Sequence, residues 1–169
     1  MVSSHSSLIA KELEGFSNDS RVWIWQAEEA LSADQVLFVT NQLTLFIPQW
    51  TSHNQRLQAR SLVIESRFII VCLDQERSSS ASGCSIDSLT HAIQGISNDI
   101  KIDFFNRNVC YVLHEGEIAK YALDQLSARV ESGELLRSSM VFDPLINTKS
   151  GMVTEWPKTL EESWHRRFL

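Results

Sequence analysis

Two short runs, RVWIWQ at 21–26 and RFIIVCLD at 67–74, are apolar on both alternating faces, and this limits the chain more than any other feature. Successive side chains of a strand point to opposite sides, so Val22 and Ile24 face one way and Trp23 and Trp25 the other. β-Branched and aromatic residues at all of these positions mark central strands that need a cover on each face. Any fold for this chain must therefore pack elements above and below a sheet.

The clearest helix lies between the two runs. Ser32 and Gln35 have capping-box spacing, Leu31 and Val36 sit at the staple positions, and Val36, Val39, Leu43 and Phe46 recur at helical intervals up to Pro48. After the polar loop QWTSHNQ, the run LQARSLVIES at 57–66 pairs with RFIIVCLD as a hairpin, although Glu65-Ser66 is a weak turn signal. Ile86, Leu89, Ile93, Ile96 and Ile100 form a second helical stripe, and VCYVLH at 109–114 is a further strand closed by Glu115-Gly116.

This order of strand, helix, strand, strand, helix, strand predicts an α+β fold: a ferredoxin-like split βαβ unit over 20–114, with an antiparallel sheet ordered 4-1-3-2. Helices cover one face of such a sheet and leave the other bare, with too much apolar surface for a free-standing unit. Residues 115–169 are expected to supply the cover, within the chain or across a homodimer. They offer an amphipathic helix over 117–132 with Ala119, Leu123, Leu126 and Val130 on one stripe, then a strand SMVF and the tail EWPKTLEESWHRRFL. Residues 1–19, rich in serine, read as a flexible arm with a single helical turn around Leu8, Ile9 and Leu13, leaving one domain over 20–169.

Composition narrows the function classes. Fifteen basic against 21 acidic residues leave a formal charge of −6, and a pI near 5.3 argues against a nucleic-acid binder, which needs a cationic face. The longest apolar run, Phe68 to Leu73, is far too short to insert in a membrane. Three widely spaced cysteines and the lack of a basic, apolar leader fit a reduced cytoplasmic setting. Six glycines, at 15, 83, 95, 116, 133 and 151, include no G-x-G-x-x-G, and none precedes a lysine, so the Walker A loop of a P-loop ATPase is absent. H-E-x-x-H, C-x-x-C and G-x-S-x-G are missing too, and no cofactor or metal site is expected.

One constellation suggests chemistry. Ser82-Gly83-Cys84-Ser85-Ile86-Asp87 opens the second helix, where unpaired N–H groups and the helix dipole favour a thiolate. The proposed topology brings the exit loop of the first helix, with Trp50, Thr51 and His53, to the same sheet end as Asp74, Ser82, Cys84 and Asp87, and directs His114 and Glu115 toward that edge. Cys84 with His53 would make a nucleophile and base, the others a binding rim. A structural alternative has Ser82 or Ser85 capping the helix and Cys84 as a small buried filler. His91 reads as solvated, Trp156 and Trp164 as anchors of the tail, and His165-Arg166-Arg167 as a solvated chain end.

W-T-x-H at 50–53, RFIIVCLD, S-G-C-S-I-D at 82–87, F-N-R at 105–107 and S-W-H-x-R-F at 163–168 together resemble a small uncharacterised bacterial family often catalogued as ABC transporter ATPases. The missing Walker A motif does not fit that label. The resemblance implies a full-length, single-domain cytoplasmic protein and marks Thr51, His53, Cys84 and Asp87 as motif positions, and it carries no established activity. The expected function is binding of a small molecule or protein partner at the Trp50/His53/Cys84 edge. The alternatives are a thiol-dependent enzyme or redox sensor using Cys84 with His53, and a structural dimerisation subunit.

Overall fold

The structure, a computed structural model, describes residues 4–169, so residues 1–3 of the expected arm lie outside the described residues. In chain order the elements are α1 (Ser4–Glu12), β1 (Arg21–Gln26), α2 (Ala33–Phe46), a small hairpin of β2 (Thr51–Ser52) and β3 (Gln55–Arg56), β4 (Ala59–Ile64), β5 (Phe68–Leu73), α3 (Gly83–Ile100), β6 (Val109–His114), β7 (Glu117–Ala122), α4 (Leu126–Glu131), β8 (Met140–Val141), α5 (Lys149–Glu155) and β9 (Lys158–Thr159). The fold is α+β with antiparallel sheets.

The central sheet has the order β1-β5-β4, antiparallel at both pairings. Its middle strand is buried at every position, as its two-sided apolar pattern requires. Ile69, Val71 and Leu73 pack with Val39 and Leu43 of α2 and with Leu89 and Ile93 of α3. Both helices start where the sequence caps them: Ser32 and Gln35 form the reciprocal capping box of α2, and the Ser82 hydroxyl accepts from the Ser85 N–H at α3. Trp23 and Trp25 lie against this helical face.

Up to this point the strand order matches the first three strands of the expected unit. The fourth does not follow, and the four-stranded 4-1-3-2 sheet is not formed. β6 pairs with β7 along its whole length and with β8 on its other edge, giving a separate sheet ordered β7-β6-β8-β9. The cause is local: Glu115 and Gly116 at φ 51° and 87° form a two-residue hairpin turn of the type I′ pattern, so the chain folds back at once. For the same reason the helix expected over 117–132 is a strand in its first part, and only Leu126–Glu131 is α-helical. Its stripe survives in part, since Leu123 and Leu126 are buried.

The second face of the central sheet is covered by the chain itself. Val22, Phe68, Ile70 and Cys72 pack against Tyr111 of β6, Phe142, Trp156, Met152 of α5, and Ile9 and Leu13 from the N-terminal segment. The segment read as a flexible arm is thus built in from His5 onward. Ile9 and Leu13 are fully buried, the Arg60 guanidinium donates to the Glu12 carbonyl, and Lys149 Nζ donates to the Phe16 carbonyl at 2.6 Å. The cover also begins earlier than residue 115, because Tyr111 belongs to it. Its outer side forms a third core, where Cys110 and Val112 meet Leu126, Leu135 and Leu160.

Hairpin turns carry a local cost. His53-Asn54 and Glu115-Gly116 are two-residue turns, and Glu65-Ser66 begin the three-residue turn that Arg67 completes; φ is positive at all six named positions, and only one of the six residues is glycine. Ser66 has φ 48°, and its carbonyl, which any residue supplies, accepts from Leu31 N at 2.7 Å. Replacing Ser66 with glycine is therefore expected to stabilise by about 1 kcal/mol and raise the melting temperature by about 2–4 °C. A fall in Tm in thermal denaturation would contradict the turn assignment.

A second expectation comes from the tail. His165, read as part of a solvated end, is fully buried. Its Nδ1 lies 3.0 Å from Ser163 Oγ and its Nε2 has no partner. Burial pushes its pKa down to about 4, against a smaller opposing pull from Asp143. The folded protein thus holds His165 neutral where an unfolded chain protonates it, so the contribution is complete above about pH 6.5 and is lost as pH falls toward 4. The loss amounts to at most about 3 kcal/mol. Denaturant unfolding between pH 7 and 4.5 should show a steeper decline for the wild type than for His165→Gln, and equal slopes would refute the assignment.

Candidate functional site

The hairpin edge assembles as the topology predicts, but as a clamp. The Trp50 indole N–H donates to the Ser85 carbonyl at 2.8 Å, and Ser85 Oγ donates to the Thr51 carbonyl at 3.0 Å. Ser52 Oγ donates to the Ser80 carbonyl at 3.1 Å and accepts from Ser82 N at 3.2 Å. These bonds fasten β2 to the start of α3. Trp50 itself is 1% exposed, edge-on to Trp23 at 5.8 Å, so it is a packing anchor without a free donor for a ligand. Ser82 is likewise occupied as the α3 cap.

The remaining members of the expected rim divide. Thr51, His53, Cys84 and Asp87 are exposed around this clamp, with His53 at the turn of the small hairpin and Cys84 one residue into α3. The buried-filler reading of Cys84 therefore fails, while Cys72 and Cys110 are buried. Asp74 is buried but bound to its own loop: its carboxylate accepts from Glu76 N at 3.0 Å and pairs with Arg77 Nε at 3.4 Å. His114 and Glu115 do not reach the edge at all. Their turn shares a groove with Glu65 and Arg67 of the β4–β5 turn, at the sheet end opposite Asp74, because β6 is not the sheet's fourth strand. No group of three or more His, Cys, Asp or Glu suited to a metal occurs among the described residues.

A better-formed concavity lies elsewhere. The outer edge of β1 is closed at one end by Asn147, whose carbonyl accepts from Val22 N at 2.9 Å, and at the other by Asp103, whose carbonyl accepts from Glu28 N at 2.8 Å. Ala27 N bonds to Arg67 O, so by the alternation of an antiparallel ladder the backbone groups of Ile24 and Gln26 point outward between these two closures. There the chain encloses a cavity of about 330 Å³, with Trp25, Phe104, Phe105 and Trp164 on its walls and Arg107 and Arg167 at its margin. It occupies the place that a fourth strand would have filled.

Each wall is held by buried or turn-forming polar groups. The Asp103 carboxylate accepts from Phe105 N at 2.7 Å, and Asn106 accepts from Asn108 N at 2.9 Å while donating to Glu28 at 3.3 Å. Asp143, 4% exposed, accepts from Leu145 N at 2.9 Å and from Trp164 N at 3.4 Å, so one buried carboxylate positions two further walls. Two polar groups of the lining stay unsatisfied: Gln26 Oε1 and Trp164 Nε1 are buried without a hydrogen-bond partner. The F-N-R and S-W-H-x-R-F segments, 57 residues apart from Arg107 to Trp164, thus converge on one site.

Spacing could not have revealed this. Trp164 looks like an anchor and Arg167 like a solvated end until the tail's path is known, and only their grouping with F-N-R as motifs carried a signal. No helix among the described residues is long and apolar enough to cross a membrane. No protein-family model, curated protein or solved structure matches the chain.

Proposed function

We propose that the protein is a ligand-binding α+β domain, and that its ligand is a small molecule held in the cavity on the β1 edge. The observation that carries this reading is an aromatic concavity on an unpaired strand edge, walled by Trp25, Phe104, Phe105 and Trp164 and bordered by Arg107 and Arg167. Apolar aromatic walls with a few polar groups at the margin are the usual make-up of a small-molecule site. The resemblance to the uncharacterised bacterial family supports the same place, since two of the motifs that carry it supply the walls. The dimerisation alternative loses its motive, because the apolar sheet face is covered within the chain.

Leu145 lies on the cavity rim and is 62% exposed, so a larger side chain there narrows the site without disturbing the core. In a thermal-shift screen of metabolites, a ligand at about 100 times its Kd should stabilise the wild type by about 2.7 kcal/mol, or several degrees. Leu145→Trp should lose most of that shift. Equal shifts in both proteins, or none across the library, would contradict the site.

One observation favours thiol chemistry as a second reading: Cys84 is exposed on the first turn of α3, where backbone N–H groups have no helical partner. Burial pushes the Cys72 and Cys110 thiols up to about 12. Iodoacetamide should therefore modify a single cysteine, Cys84, in the folded protein. If Cys84 labels no faster than a free thiol at neutral pH, this second reading falls.

A further inference from the structure

The charged residues that line the cavity are both arginines, while the Asp103 and Asp143 carboxylates behind its walls are engaged by backbone N–H groups. Arg107 and Arg167 border it, no acidic residue lines it, and neither arginine forms an ion pair among the described residues. In a chain with a formal charge of −6, unpaired arginines beside a concavity without a carboxylate are a selective arrangement. A cationic ligand would be repelled there, and a purely apolar one would leave the two guanidinium groups unmatched. The outward N–H groups of Ile24 and Gln26 add two donors on the same side. The Arg167 guanidinium carbon stands 6.0 Å from the centre of the Trp164 ring, so cation and aromatic wall lie side by side.

Resting on the proposal that this cavity binds a small molecule, we infer that its ligand is a planar aromatic oxyanion. It is a one- or two-ring compound carrying a carboxylate or phosphate, with its ring against Trp25 and Trp164 and its charge toward Arg107 and Arg167. A volume of about 330 Å³ lies at the small end of ligand sites and suits such a compound, and it is too small for a dinucleotide. Guanidinium groups are the side chains best matched to either oxyanion.

Isothermal titration of the full chain with indole-3-acetate, 3-indolyl phosphate and tryptamine tests the assignment, because the three share a ring and differ in charge. The anions should bind, with tryptamine about tenfold weaker or more. The double variant Arg107→Ala, Arg167→Ala alters two exposed side chains, so the fold is retained, and a melting curve checks this. It should cut anion affinity about tenfold or more and strengthen tryptamine binding rather than weaken it, while Arg107→Lys with Arg167→Lys keeps part of the anion affinity. Tryptamine binding as tightly as the anions, or anion affinity indifferent to the arginines, would overturn the inference. So would silence of both anions while other compounds still give a shift sensitive to Leu145→Trp, a result that would leave the cavity itself standing. No ligand at all would remove both.

Discussion

Every other layer of the structure follows from the burial of β5. Its six residues, Phe68 to Leu73, are all inaccessible to solvent, three packing toward the helices and three toward the cover. Burying a side chain of this size stabilises by about 1.5–3 kcal/mol, so neither face can be left wet in a domain whose net stability is only about 5–15 kcal/mol. Helices α2 and α3 meet the first demand. The second is met by pieces from both ends of the chain, α1 and the segment from Tyr111 to Trp156, tied down where the Tyr111 hydroxyl donates to the Ala27 carbonyl at 2.9 Å.

That division of labour opens the site. Because β6 folds back on β7, it serves the cover and leaves the edge of β1 without a partner strand. An unpaired edge is a hazard unless something shields it. Here Asn147 and Asp103 close its two ends, and the α3–β6 loop with the C-terminal turn roofs the part between. The cavity is thus a by-product of how the second sheet face was covered, given chemical character by Arg107, Arg167 and Trp164.

What the sequence made legible was whatever is set by local periodicity. The capping box at Ser32, the stripes of α2 and α3, the pairing of β4 with β5 and the two-sided β1 and β5 strands all depend on neighbours three or four residues away, or two in a strand. The fate of β6 depended on Glu115-Gly116, a turn whose first residue tolerates positive φ at some cost and so gives a weaker signal than Asn-Gly. The stripe Ala119, Leu123, Leu126 and Val130 misled over 117–122 because only Ala119 of it falls there, in a segment that pairs with β6 as a strand. Of the expected rim, the hairpin and the α3 start were brought together correctly, but Trp50 and Ser82 proved to be fasteners, and His114 and Glu115 travelled with β6. The cavity walls were hidden because Arg107 and Arg167 are exposed charges in sequence terms, and only the tail's path sets them side by side.

The central claim is that the edge of β1 is open between its two closures and is the place a ligand occupies. Amide hydrogen exchange read residue by residue tests it most directly. In the free protein the Ile24 and Gln26 amides should exchange about tenfold faster or more than those of Trp23 and Trp25, which pair with β5, and they should become protected when the cavity is filled. Uniform protection along β1 in the free protein would contradict the account, as would Ile24 and Gln26 amides that stay unchanged on ligand binding.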